Sequence, residues 1–266
     1  MLTRRDRAQV PPGTPGIMAT RTLANSHPGL LALLRPGLDV LDVGCGPGTL
    51  TMETARRVLP GRVVGLDVNE EMLAAARRAS PPGALPNLTF LHGDICDGGW
   101  DTEFDLVGAA RVLQWIRDVE RAITAMVAAL RPGGQMIVLD YDHTRARWAN
   151  PPAVWIRFHR AFLDWRANEG LDNAIGRRLP GLLEAAGLVE LRATPLAVTV
   201  SAGQPDFFRV AGAWRLVAES RGRQMVAAGA LTEAEREAAV ADYAEWMRRE
   251  GAVQTLHEAC VTGRRP

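Results

Sequence analysis

Val40-Leu-Asp-Val-Gly-Cys-Gly-Pro-Gly-Thr-Leu50 passes from a β-branched and aliphatic run through three alternating glycines into a helical pattern. It reads as a buried strand, a turn and the start of a helix, which opens a βαβ unit. Gly44, Gly46 and Gly48 carry no Cβ, so the backbone there can take positive φ and lie close to a ligand. The helix predicted from about Thr49 through Val58 aims free N–H groups and its positive end at the same spot, an arrangement that favours a carboxylate or phosphate.

Spacing narrows the ligand class. A dinucleotide fingerprint requires G-x-G-x-x-G, and Thr49 stands where the third glycine belongs. The pattern is instead acid-x-G-x-G-x-G from Asp42 to Gly48. A second apolar run, Arg62-Val-Val-Gly-Leu-Asp67, ends on a carboxylate that can accept from both ribose hydroxyls. On these residues the chain resembles the class I S-adenosylmethionine-dependent methyltransferases, most specifically over 38–142. The resemblance is to the small-molecule type, similar to the ubiquinone and menaquinone biosynthesis methyltransferases. The resemblance implies an α/β fold: a Rossmann-like, seven-stranded, mostly parallel sheet with helices on both faces, binding S-adenosyl-L-methionine.

Working outward, strand signals recur at 38–43, 62–67, 88–91, 104–108 and 135–141, with helical stretches between them. Helices over 69–79 and 118–130 open with acids in the first turn, matching the helix dipole. Residues 1–29 read as an N-terminal arm and cap, and 30–144 as the cofactor-binding core. Residues 145–180 read as an inserted helical lid, and 181–266 as the rest of the core, with a sixth strand at 188–195 and a seventh at 259–266 flanking helices at 204–228 and 232–250. Trp148, Trp155, Phe158, Phe162 and Trp165 form one aromatic stripe. That stripe suits either core packing or the roof of an apolar pocket.

Composition removes other classes. The 266 residues carry 31 basic and 30 acidic side chains, a net charge of +1, which gives no field to draw nucleic acid or an anionic bilayer. The chain has no lysine, so Schiff-base chemistry and the phosphate-loop lysine are excluded. Cys45, Cys96 and Cys260 are too scattered for a disulfide framework or a zinc site, and no eighteen-residue apolar run exists. A cytoplasmic protein with a small-molecule substrate, no nucleic-acid or membrane partner and no metal is expected, with a homodimer left open.

The resemblance assigns further roles. Asp42 orients the loop or the cofactor's ammonium group; Gly44, Cys45, Gly46 and Gly48 wrap its methionine portion; Asp67 takes the ribose. Val68 and Met72 flank the adenine. Asp94 and Ile95, in Leu91-His-Gly-Asp-Ile95, meet its exocyclic amine and ring nitrogen. Ala110 and Arg111 approach the methionyl end, and Arg21 is a further candidate for its carboxylate. The plainer alternatives are an Asx turn at Asp94, a helix cap at Asp67 and core burial of Met72. Strand five ends in Asp140-Tyr-Asp-His143, and His143 is the general-base candidate because an imidazole titrates near neutrality. Trp115, Tyr141, Trp155, His159 and Phe162 are the expected substrate pocket. The function expected is methylation of a small, largely apolar or aromatic metabolite. The alternative is a cyclase or isomerase on the same fold that uses the bound sulfonium only for its charge.

Overall fold

The apolar runs become strands of one sheet in the computed structural model, which describes residues 21–81 and 83–266. Most of the expected arm, residues 1–20, lies outside the described residues. In chain order, α1 (Leu23–Ser26) and α2 (Pro28–Leu33) precede β1 (Val40–Val43), α3 (Thr49–Val58), β2 (Val63–Asp67), α4 (Glu70–Ala79), β3 (Leu88–His92), β4 (Phe104–Ala110), α5 (Val119–Ala129) and β5 (Leu130–Tyr141). A two-residue β6 (Arg147–Trp148) leads to α6 (Ala153–Asn168), α7 (Ile175–Ala185), β7 (Val189–Ser201), α8 (Phe207–Ala227), α9 (Glu233–Trp246) and β8 (Val253–Arg264).

The sheet runs β3-β2-β1-β4-β5-β8 with β7 outside β8, and β1 to β5 are parallel. β8 enters antiparallel to β5, and β7 is antiparallel to β8. Strand order reverses between β1 and β4, so the connections after these two strands diverge to opposite faces and leave a crevice at their carboxyl ends. That crevice holds the site.

Alternation along the strands covers both faces. Leu41, Val43, Val64, Leu66, Val107 and Val138 pack against Ile123 and Met126 of α5 and Leu179 and Leu183 of α7. Val40, Val63, Leu106 and Ile137 pack the other way, against Leu30, Ala55 and Val58. Each fully buried aliphatic side chain contributes about 1.5–3 kcal/mol, which is why near-continuous apolar strands select a sheet covered on both sides.

A third cluster is built mainly by helices and takes in Val200 of β7 and Leu256 of β8. Trp155, Phe158, Phe162 and Trp165 of α6 bury against Phe207 and Trp214 of α8 and Tyr243 and Trp246 of α9. Trp155 and Tyr243 stack with ring centroids 3.8 Å apart. The aromatic stripe is thus chiefly the core of a three-helix cap. The insertion differs from the expected 145–180 in that α7 lies on the sheet. Gly176 permits this, since a Cβ there would come within 2.5 Å of the Asp140 carbonyl oxygen. β7 extends to Ser201 and β8 begins at Val253, both longer than expected, because the two strands pair with each other along nearly their whole length.

Candidate active site

A cavity of about 1020 Å³ opens at the carboxyl ends of β1 and β4. Its walls include Arg21, Asp42, Gly44, Cys45, Gly46, Asp67, Val68, Met72, Asp94, Ile95, Ala110, Arg111, Trp115, Tyr141, His143 and Phe162, so most of the residues expected at the site converge. Three do not line it. Gly48 turns away as the left-handed N-cap of α3. Trp155 is fully buried in the cap core, and His159 sits edge-on between Trp148 and Trp214. Both face the inside of the helical cap because the stripe on α6 buries against its neighbouring helices; only Phe162 reaches the cavity.

The glycine loop is built from within. Gly44, Gly46 and Gly48 take φ of 70°, 55° and 74°. A Cβ on Gly44 would meet Val112 Cγ2 at 2.3 Å, and one on Gly48 would meet Phe90 Cζ at 2.6 Å. Part of the glycine requirement is therefore packing against the turn after β4 and against β3, over and above room for a ligand. The Gly46 amide donates to Asp67 Oδ2 at 2.7 Å and the Asn69 amide to Oδ1 at 2.8 Å. Each oxygen keeps a second lone pair, so Asp67 can brace the loop and still accept from two hydroxyls. Asp42 accepts from Thr51 Oγ1 at 2.6 Å. Burial pushes the Asp42 carboxyl up to about 6, with Asp67 adding to the rise, and burial likewise raises Asp67. Asp94 caps the turn at Ile95–Asp97, accepting from the Cys96 amide at 2.8 Å, while still lining the cavity. Burial drives the Cys45 thiol well above its usual range, which leaves it no thiolate for nucleophilic work.

Beyond the loop, the site is tied to the C-terminal strand. Arg111 holds φ of 62°, and its guanidinium forks onto Glu258 of β8, with Nε to Oε1 at 2.6 Å and Nη2 to Oε2 at 3.1 Å. It therefore meets the cavity already neutralised, whereas Arg21 lines the cavity with no acceptor among the described residues. The Gln114 side-chain amide donates to the Arg111 carbonyl, which turns its Oε1 toward His143 Nε2 at 2.7 Å. Nε2 then carries the proton and Nδ1 the lone pair. Burial, with Arg166 and His159 adding to it, holds the imidazole well below its ordinary value and so neutral. Asp140 accepts from the Gln114 and Tyr141 amides, and its carboxyl is pushed up to about 7 by burial. Asp142 instead caps the next turn, so Asp140, Asp142 and His143 face different partners.

The sequence reading missed the roof. Val210, Trp214, Val217 and Arg221 of α8 line the cavity, at spacings of four, three and four. That helical stripe was visible in the sequence, but nothing local says which side of the sheet it crosses.

The crevice at a strand-order reversal, with a glycine turn and a strand-end carboxylate, defines a Rossmann-like nucleoside-binding domain. Residues 40–134 match the family described as methyltransferase domain. Trans-aconitate 2-methyltransferase of Deinococcus radiodurans is 38% identical over 116 residues, 42% of this chain and 43% of that protein. The ubiquinone/menaquinone biosynthesis C-methyltransferase of Idiomarina loihiensis is 32% identical over 112 residues, 41% of this chain and 45% of that protein. The chain thus spans less than half the length of these curated relatives. Among solved structures, phosphoethanolamine N-methyltransferase 2 of Haemonchus contortus in complex with S-adenosyl-L-methionine aligns with TM-score 0.60 at 17% identity, over 100% of this chain and 60% of that one. The [4+2]-cyclase SpnF aligns with TM-score 0.56 at 23% identity, over 93% and 85%. The chain carries a class I S-adenosylmethionine-dependent methyltransferase domain, and S-adenosyl-L-methionine is the cofactor of that domain. Among the described residues no helix is long and apolar enough to cross a membrane.

Proposed function

We propose that this protein transfers the methyl group of S-adenosyl-L-methionine to a small, largely apolar or aromatic metabolite in the cytoplasm. The observation that carries the reading is a single cavity with two kinds of wall. One part is the glycine loop with Asp67, Met72, Asp94 and Ile95; the other is Trp115, Tyr141, Phe162, Val210, Trp214 and Val217. The first part fits the cofactor: Asp67 has lone pairs for two hydroxyls, and half-buried Asp42 lacks a cationic partner among the described residues. When bound, the cofactor supplies an electrophilic methyl on a sulfonium.

What the chain itself contributes is position and dryness. Loop and aromatic wall hold the two reactants side by side, and such orientation is worth up to an effective molarity of ~10⁵–10⁸ M. His143 Nδ1 is the acceptor for a proton where the nucleophile arrives protonated, and its low basicity suits an acidic hydroxyl or thiol better than an aliphatic alcohol. An acceptor already bearing a lone pair or negative charge needs no base.

The test has two stages. Calorimetry with S-adenosylmethionine and S-adenosylhomocysteine is expected to show micromolar or tighter binding, and its absence removes the proposal. Mass spectrometry of a metabolite screen is then expected to show a product one methyl heavier, whereas an isomeric product of unchanged mass would favour a cyclase.

A further inference from the structure

Arg221 lies near the end of the α8 stripe, 6% exposed, on the cavity wall. Its guanidinium carbon stands 4.2 Å over the Trp115 ring, and its Nη1 donates to Gln224 Oε1 at 3.0 Å. Among the described residues no carboxylate pairs with it, and its Nε and Nη2 meet no acceptor. Two other buried guanidiniums are answered by carboxylates, Arg111 by Glu258 and Arg236 by Glu233. A second guanidinium, Arg166, stands 4.7 Å from the same Trp115 ring, and its hydrogen-bond acceptors are a side-chain amide and two backbone carbonyls. Asp140, its carboxyl pushed up to about 7, and Asp172 act on Arg166, and neither pairs with Arg221. At the Trp115 end of the cavity Arg221 thus stands in the wall with no carboxylate of its own among the described residues. Burial also pulls Arg221 down to about 10, a measure of its poor compensation. A buried cation without a partner is destabilising by several kcal/mol. Held over the ring, the guanidinium keeps its Nε and Nη2 as a planar pair of N–H donors, the geometry that matches a carboxylate or phosphate.

We infer that the acceptor carries an oxyanion, a carboxylate or phosphate on its apolar body, which pairs with Arg221 while the apolar part lies along Val210, Trp214 and Val217. This rests on the methyltransferase reading and names the class of its acceptor.

The test uses the full chain saturated with S-adenosylhomocysteine and three probes of one shape: 3-phenylpropionate, phenyl phosphate and the neutral 3-phenylpropionamide. Calorimetry is expected to show at least one anion binding about tenfold or more tighter than the amide, and which anion wins separates carboxylate from phosphate. Arg221→Met is expected to abolish that preference while leaving S-adenosylhomocysteine affinity unchanged and the melting temperature of the unliganded protein equal or higher. Arg221→Lys, which keeps the charge without the fork, is expected to fall between. Amide binding as tight as both anions, no anion binding at all, or an undiminished preference in Arg221→Met overturns the inference. So does an Arg221→Met protein that melts lower yet binds the anions unchanged. If the unaltered protein fails to bind S-adenosylhomocysteine, the cofactor reading has failed, visibly and separately, and the inference goes with it.

Discussion

Asp67 joins two tasks in one carboxylate, since the amides that brace the glycine loop and the hydroxyls it can accept use different lone pairs of the same oxygens. Asp67→Asn puts an N–H₂ against one of those amides and removes an acceptor, so S-adenosylhomocysteine affinity is expected to fall by about 10- to 100-fold, or ~1.4–2.7 kcal/mol, read by calorimetry. Asp42 adds a pH dependence. Its carboxyl is pushed up to about 6, so the neutral form dominates below that and the carboxylate above it. A cationic cofactor group favours the carboxylate, and S-adenosylmethionine binding is therefore expected to tighten from pH 5 to 7 and then level off, with Asp42→Asn flattening the curve. The same raised value works against the unliganded fold: Asp42 contributes most below its unfolded value near 4, and that contribution is lost as pH rises through about 6. His143 titrates well below its ordinary value, so any acid limb it imposes on kcat is expected well below the ordinary imidazole range; a limb within that range that disappears in His143→Gln would contradict its neutral, Gln114-bonded state.

Among the elements, β8 does more than finish the sheet. It pairs with β5 on one side and β7 on the other, and it brings Glu258 under Arg111 at the end of β4. Glu258 is 6% exposed, so Glu258→Ala strands a buried guanidinium beside the glycine loop. A loss of about 3–5 kcal/mol is expected in chemical denaturation, the range for breaking a buried pair from one side. Helix α8 is the element on which cap and site meet. Its Trp214 touches the ring systems of His143, Trp148, Trp155, His159 and Phe162. Trp214→Ala is expected to remove about 3–5 kcal/mol of stability and, where the protein still folds, to raise the acceptor KM far more than the cofactor Kd. Gln114 links α6 to the end of β5 as well, its amide donating to the Asp140 carboxylate and its carbonyl accepting from Arg166.

At the scale of the molecule, two cores share one cavity. The sheet and its covering helices form the cofactor side, and the aromatic cluster of α6, α8 and α9 forms the roof. Hydrogen exchange with and without S-adenosylhomocysteine is expected to slow most over 42–50, 66–72 and 93–96, with little change in 153–168, because the aromatic core of α6 faces other cap helices. The amino-acid sequence by itself determined the alternation that buries both sheet faces, the glycine turn after β1 and the acid that ends β2. These signals are local: period-two burial, positive φ and a strand-end carboxylate each lie within a few residues of one another. Tertiary structure decided the rest. Which of two helical stripes roofs the cavity, that Trp155 and His159 face inward, that α7 lies on the sheet and that Glu258 neutralises Arg111 across 147 positions all depend on chain crossings. An amphipathic helix announces that it has an apolar face; only the packed neighbours say whether that face meets protein or ligand.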